Sequence, residues 1–238
     1  VNTTGGASAA SQLPANLQQG LVAYYPFNGN ANDESGNGNN GNVIGATLTS
    51  DRNGNSSSAY DFNGTSGYIE VLNSSSLSAI TELTVSVWFR VESYYYFSNF
   101  GYNFPILSKS NQSFHWGNFD LNLWQAGNLI QTHLLSKETG CLTDIAENSW
   151  NHLICSINND SSYFYLNGVL LSAGLSGSFP QSSESNMPMY IGRNIQGGAN
   201  EIADGQIDDI LIYNRFLSPS EIQQLYTAQT FAWNTGAT

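Results

Sequence analysis

The sequence predicts an all-β domain, two antiparallel sheets packed as a β-sandwich and followed by one short C-terminal helix, and three observations predict it. A dozen short segments carry strand signals and are separated by turn signals. The composition is that of a β protein: 13 Tyr and 12 Phe supply β-forming bulk, and only 10% of the 238 residues are charged. One helix signal stands alone near the end. With 40% hydrophobic residues the chain can bury one large core, so a single domain is expected.

Residues 1–19 are small, polar and aperiodic, as in a linker, and the domain is expected over 20–226 with a tail over 227–238. No run of apolar residues is long enough to span a membrane and no leader-like segment opens the chain, which reads as a module trimmed from a larger protein. The first strand is expected over 21–27. After it, Asn28-Gly29-Asn30-Ala31-Asn32-Asp33-Glu34-Ser35-Gly36-Asn37-Gly38 interleaves oxygen-bearing side chains with glycines. Two readings fit: a loop curled so that its oxygens converge on a hard cation such as calcium, or a solvated turn.

Further strands are expected over 59–62, 68–71, 83–91, 104–108, 119–125, 129–135, 152–158, 162–166, 169–172, 189–192 and 205–213. In Leu83-Thr84-Val85-Ser86-Val87-Trp88-Phe89 the odd positions are apolar and the even ones small and polar, until Trp88 breaks the alternation; one face is core and the other admits an aromatic. Asn167-Gly168 between apolar runs predicts a type I′ hairpin, whose two central residues need positive φ. The helix begins at Ser218-Pro219-Ser220-Glu221, with Pro in the first turn and Glu three residues after Ser as a capping box. Cys141 and Cys155 lie fourteen positions apart. They either close a disulfide loop, worth about 3 kcal/mol, or are small buried hydrophobes.

The composition and motifs also exclude functions. A formal net charge of -12 repels nucleic acid and anionic membranes. No CxxC or Cys/His cluster supports zinc or redox chemistry, and His115, His133 and His152 show no ligand spacing. No Gly-x-Ser-x-Gly elbow is present. Retaining glycoside hydrolysis needs two carboxylates about 5 to 5.5 Å apart, yet Glu82, Glu92 and Asp120 stand isolated in sequence and Glu201 and Asp204 sit in a Gly-rich stretch. No enzymatic activity is expected.

Several phrases together resemble the laminin-G-like jelly roll of the concanavalin A-like lectin/glucanase superfamily. They are Gly20 through Gly29, Asp33 with Ser35-Gly36-Asn37-Gly38, Asp61-Phe62-Asn63-Gly64, Val85 through Phe89, Trp150-Asn151-His152, Tyr165-Leu166-Asn167-Gly168, Tyr190-Ile191-Gly192-Arg193, and Gln206-Ile207-Asp208-Asp209-Ile210 followed by Tyr213-Asn214-Arg215. The resemblance implies a concave and a convex sheet, and a structural Ca2+ held by Asn28, Asp33, the Gly64 carbonyl and Asp208, with Asp61 as a candidate auxiliary ligand. Asn28 stands where many relatives have Asp, which removes one charge. Strand alternation sends Asp208 and Asp209 to opposite faces.

The expected function is a secreted or cell-surface, non-catalytic carbohydrate-binding module, monomeric, with a polysaccharide or glycan as ligand; a protein-binding adhesin module or a spacer beside a catalytic domain are the alternatives. Flat rings suit sugars because the axial C–H faces of pyranoses pack on them. The densest aromatic cluster, 93–102, is expected as a loop, with Tyr94, Tyr95, Tyr96 and Tyr102 as candidate ligand-binding residues, joined by Trp116 and Trp124. Trp88 and Trp150 are assigned to the core.

Overall fold

The computed structural model describes residues 13–231 except 79, 98–100, 110–118, 125–128, 135–136, 159, 175–185 and 196–199. A short helix α1 (Ala15–Gln18) leads into β1 (Leu21–Tyr25), then β2 (Gly41–Ile44), β3 (Thr47–Thr49), β4 (Ala59–Asn63), β5 (Tyr68–Val71) and the helical turn α2 (Ser75–Ser78). The middle of the chain forms β6 (Leu83–Ser93), β7 (Tyr95–Phe97), β8 (Gly101–Lys109), β9 (Phe119–Trp124), β10 (Leu129–Leu134) and β11 (Lys137–Leu142). The last part forms β12 (Asn151–Ile157), β13 (Ser162–Leu166), β14 (Val169–Gly174), β15 (Met189–Ile191), β16 (Arg193–Asn194), β17 (Glu201–Ile202), β18 (Asp204–Tyr213) and α3 (Pro219–Phe231).

Two antiparallel sheets result. The first runs β14-β13-β12-β6-β18-β4-β3, with β1 also on β18, and the second runs β11-β10-β9-β8-β15-β5-β2, with β7 also on β8. Every strand expected from the sequence is present, its ends moved by a few residues. Those not expected are edge strands (β2, β3, β7, β11) and the two-residue strands β16 and β17, which pair only with each other. Edge strands pair on one side only, so they need less apolar alternation to form and leave a weaker sequence signal. The cluster expected as a loop over 93–102 is thus largely strand: β7 pairs with the start of β8, Tyr96 opposite Tyr102.

The main core lies between the sheets and takes Val85, Val87 and Phe89 from β6, Phe104 and Ile106 from β8, and Leu121 and Leu123 from β9. A second apolar cluster covers the outer face of the first sheet, where Tyr24, Ile154, Leu211 and Tyr213 meet Leu13 and Leu17 beside α1 and Ile222 and Leu225 of α3. That sheet is therefore buried on both faces, which explains why Trp88 interrupts the alternation of β6 yet is itself buried. It also corrects the domain limits read from the sequence. Leu13 and Leu17, inside the segment assigned to a linker, are buried, and α3 runs past residue 226, because the apolar outer face needs both helices as cover.

Two local features match their sequence signals. Asn167 and Gly168 have φ of 50° and 78°, as a type I′ turn requires. The capping box at α3 is reciprocal: the Ser218 N–H donates to Glu221 Oε2 at 3.0 Å and the Glu221 N–H to Ser218 Oγ at 3.4 Å. One feature departs from expectation. The β18 register shifts between Asp208 and Leu211, and Asp209 has a φ of 45°. This bulge breaks the period of two and turns Asp208 and Asp209 toward the same partner, not to opposite faces. Cys141 and Cys155 are both free and buried in the main core.

Candidate binding face and the cation loop

The second sheet has one face on the core and one away from it. Along β9 the residues alternate, with Phe119, Leu121 and Leu123 in the core and Asp120 and Asn122 on the opposite face. Directly paired residues of antiparallel strands share a face, so the register defines what that face carries. One rung is Tyr95–Asn103–Trp124, and others place Gln131 beside Asn122 and His133 between Asp120 and Glu138. By register, aromatic, amide and carboxylate positions thus share one face of five adjacent strands, β7 to β11.

The ribbon β16–β17 adds two polar groups beside β8. Glu201 is buried, and its Oε2 accepts from the side-chain amides of Asn103 and, at 3.0 Å, Asn194. Burial raises the Glu201 pKa, the charge of Asp120 raises it further, and the two amides pull it down. Asp120 and Glu201, isolated in sequence, are therefore neighbours in space. Asn103 donates its amide N–H to Glu201, but its Oδ1, like that of Asn122, is buried with no hydrogen-bond partner among the described residues. Buried amide oxygens without a protein partner are rare, and these two keep their accepting capacity on this face.

The structure sorts the aromatic residues expected to bind ligand. Tyr95 and Trp124 fall on the rung with Asn103. Tyr94 is half-buried against the main core, its phenol pushed up to about 12 by burial, and so belongs to the packing of the sandwich. Tyr96 and Tyr102 pair directly with one another in the register of β7 and β8. Trp116 lies outside the described residues.

The residues expected to hold calcium do not converge. Asp33 organises its own loop: Oδ1 accepts from the N–H groups of Tyr24 and Ser35, and Oδ2 from that of Asn39, each at 2.9 Å. Gly64, at a φ of 70°, sits against Asp204. Asp204 is four residues from Asp208 along β18, about 13 Å for an extended strand. Asp61 is hydrogen-bonded to Gln206, again away from Asp208. Only Asn28 and Asp208 come together, lining a cavity of about 50 Å³ with Asp51, Arg52, Asn53, Asn55 and Asp209. Among the described residues no three His, Cys, Asp or Glu side chains are arranged to hold a metal ion. Gly64, placed beside Asp204, lies too far along β18 from Asp208 for the two to share one ion.

Sequence reasoning missed Arg52. Its guanidinium bridges Asp208 Oδ2 at 2.7 Å and Asp209 Oδ2 at 2.8 Å, and it lies 4.4 Å above the Trp88 ring. Trp88 stacks on His152 at 4.7 Å and His152 on Tyr226 at 5.4 Å, so four side chains form one column beneath α3. Burial first, and the Arg52 charge second, lower the His152 pKa to about 3.

The sheet order defines a jelly-roll sandwich, one sheet covered by helices and the other carrying polar residues on the face away from the core. A family model described as the concanavalin A-like lectin/glucanases superfamily, of the laminin G kind, matches residues 63–223, and the chain belongs to that family. No curated protein sequence matches the chain at a significant level. Among solved structures, the chain is similar to domain 4 of AbnA, a GH43 extracellular arabinanase from Geobacillus stearothermophilus, solved with arabinotriose. The TM-score is 0.62 at 22% identity, over 87% of this chain and 98% of that one. It is also similar to the binding domain of Paraclostridial Mosquitocidal Protein 1 (TM-score 0.66, 19% identity, 90% of this chain and 53% of that one). A third is the binding domain of Botulinum Neurotoxin DC, solved in complex with SialylT (TM-score 0.66, 14% identity, 90% and 53%). This chain thus spans about half the length of those two toxin domains. At such identities the likeness is one of fold. Among the described residues no helix is long and apolar enough to cross a membrane.

Proposed function

We propose that this chain is a non-catalytic carbohydrate-binding module of a secreted or cell-surface protein, and that it takes a neutral glycan on the outer face of the second sheet. The observation that carries the reading is the rung Tyr95–Asn103–Trp124 beside two buried amide oxygens, of Asn103 and Asn122, that lack partners. A sugar ring offers what those groups lack: hydroxyls to donate to amide oxygens, and a C–H face for an aromatic ring. The similar arabinanase domain was solved with arabinotriose and a similar toxin domain with SialylT, which supports a glycan as the ligand class. A net charge of -12 disfavours polyanionic chains. Catalysis is not part of the reading: Glu201 is held by two amides, and Asp120 also has partners.

Titration calorimetry and affinity gels with a panel of neutral oligosaccharides that includes arabinotriose test this. Binding is expected for the unmodified chain, and about tenfold or more weaker binding for Trp124→Ala and for Tyr95→Ala, the loss of one stacking platform. If no glycan in the panel is retained, or both variants bind as the parent does, the reading fails. Adhesin-type protein binding then becomes the better account.

A further inference from the structure

We propose that Arg52 is the resident cation of this domain: its guanidinium holds Asp208 and Asp209 together in the place where a divalent ion was expected, and the fold closes without metal. The first support is the state of the four carboxylate oxygens, each of which already has a partner. Asp208 Oδ1 accepts from the Asp209 N–H at 2.7 Å and Asp208 Oδ2 from Arg52 at 2.7 Å. Asp209 Oδ1 faces the Tyr24 hydroxyl at 3.5 Å, and Asp209 Oδ2 pairs with Arg52 at 2.8 Å. An ion needing six or more oxygens would have to break these contacts and sit beside a fixed positive charge.

The second support is that neighbouring oxygen donors are engaged as well. Asp51 Oδ1 accepts from the N–H groups of Asn53 and Asn55, and Asp51 Oδ2 from the Asn55 side-chain amide, so this carboxylate shapes its own turn. Asn28, where a relative's Asp would bring a negative charge, is neutral and exposed. The third support is what Arg52 joins. Besides β18 it reaches the Gln229 carbonyl of α3 at 3.0 Å and the Trp88 ring of β6. A loop between β3 and β4, two central strands and the last helix are thereby tied at one side chain. A planar fork of five donors on a delocalised charge suits this task; a lysine could not span both carboxylates. The positive φ of Asp209 fits the same picture, since backbone strain at a non-glycine residue persists where surrounding contacts hold it.

Thermal unfolding of the unmodified chain, after exhaustive dialysis with and without EDTA and then with excess CaCl2, is the primary test, with elemental analysis of the dialysed protein. The expected result is the same Tm in all three states and no stoichiometric metal. Arg52→Met is expected to lower Tm by on the order of 10 °C, because two buried carboxylates lose their counter-charge. Arg52→Lys, which keeps the charge and loses the fork, should fall between. A Tm that drops on chelation, one equivalent of bound calcium, or an Arg52→Met protein as stable as the parent would each overturn the proposal. Should Arg52→Met not fold, the chelation series and Arg52→Lys still decide it, a Lys variant of unchanged Tm counting against the bridging role.

Discussion

His152 is held neutral by its position in the column from Arg52 to Tyr226, and this sets how stability depends on pH. Its Nε2 shares a hydrogen bond with Ser86 Oγ at 2.8 Å, Ser86 Oγ also donates to Gln229 Oε1, and Nδ1 has no partner among the described residues. The folded pKa of about 3 lies below the ordinary 6.5, so the unfolded chain takes up a proton that the folded one refuses. The stability this residue contributes is present above about pH 6.5 and is lost toward pH 3, by up to about 1.4 kcal/mol per unit. Glu201, with its pKa raised, acts with the opposite sign. Denaturant melts between about pH 7 and pH 5 should therefore show a fall for the parent chain and a flatter profile for His152→Gln; equal slopes would contradict the assignment. Trp88, by breaking its strand's alternation, announced a buried second face in the sequence. Arg52 announced nothing, since Asp51-Arg52-Asn53-Gly54-Asn55 reads as a solvated turn and its partner Asp208 is 156 positions away. The convergence of Asp208 and Asp209 was equally hidden, because it depends on a positive φ that no side-chain pattern encodes.

At the scale of the element, alternation and turn chemistry carried most of the information. The Asn167-Gly168 hairpin and the Ser218 capping box were readable because each depends on residues three or fewer positions apart. Gly168 is constrained twice, by its φ of 78° and by Tyr226 of α3, whose ring would lie 2.5 Å from an added Cβ. The hairpin and the helix that packs on it are thus fitted to one another. Ser218→Ala removes the cap that the Glu221 N–H uses, and should destabilise the chain by about 1 kcal/mol, a Tm fall of about 2 to 4 °C by calorimetry. Helix content should otherwise be retained; a larger loss would mean that Ser218 supports more than the helix start. The strands that escaped notice lie at edges, where pairing on one side suffices. Tyr95 and Trp124 were legible as candidates, but their pairing through Asn103 was not, since registers between distant strands are set by the whole sheet.

The whole molecule is two sheets with unequal outer surfaces, one roofed by α1 and α3 and the other polar. Between them lie Cys141 of the second sheet and Cys155 of the first. Burial pushes the Cys141 thiol up to about 11, and burial first and the Cys141 thiol second raise that of Cys155. Reductant is expected to leave Tm unchanged. A thiol reagent should label neither cysteine in native buffer and both in denaturant; prompt native labelling, or no titratable thiol after unfolding, would contradict a reduced core. The sandwich class was legible from composition and strand spacing, because a sheet's faces repeat every two residues. Its roof was not, since residues 13–19 look like spacer until the apolar outer face of the first sheet is seen to need them.

The pairing of the roof helices has a geometric consequence for how the domain is presented. Asn16 of α1 donates to Gln224 of α3 at 2.9 Å, and Arg215 clasps the Asn16 and Gln19 carbonyls together with Glu221. The first helix and the start of the last therefore lie side by side on the outer face of the first sheet, and the face of the second sheet that carries Asp120 and Asn122 is left without a helical cover among the described residues.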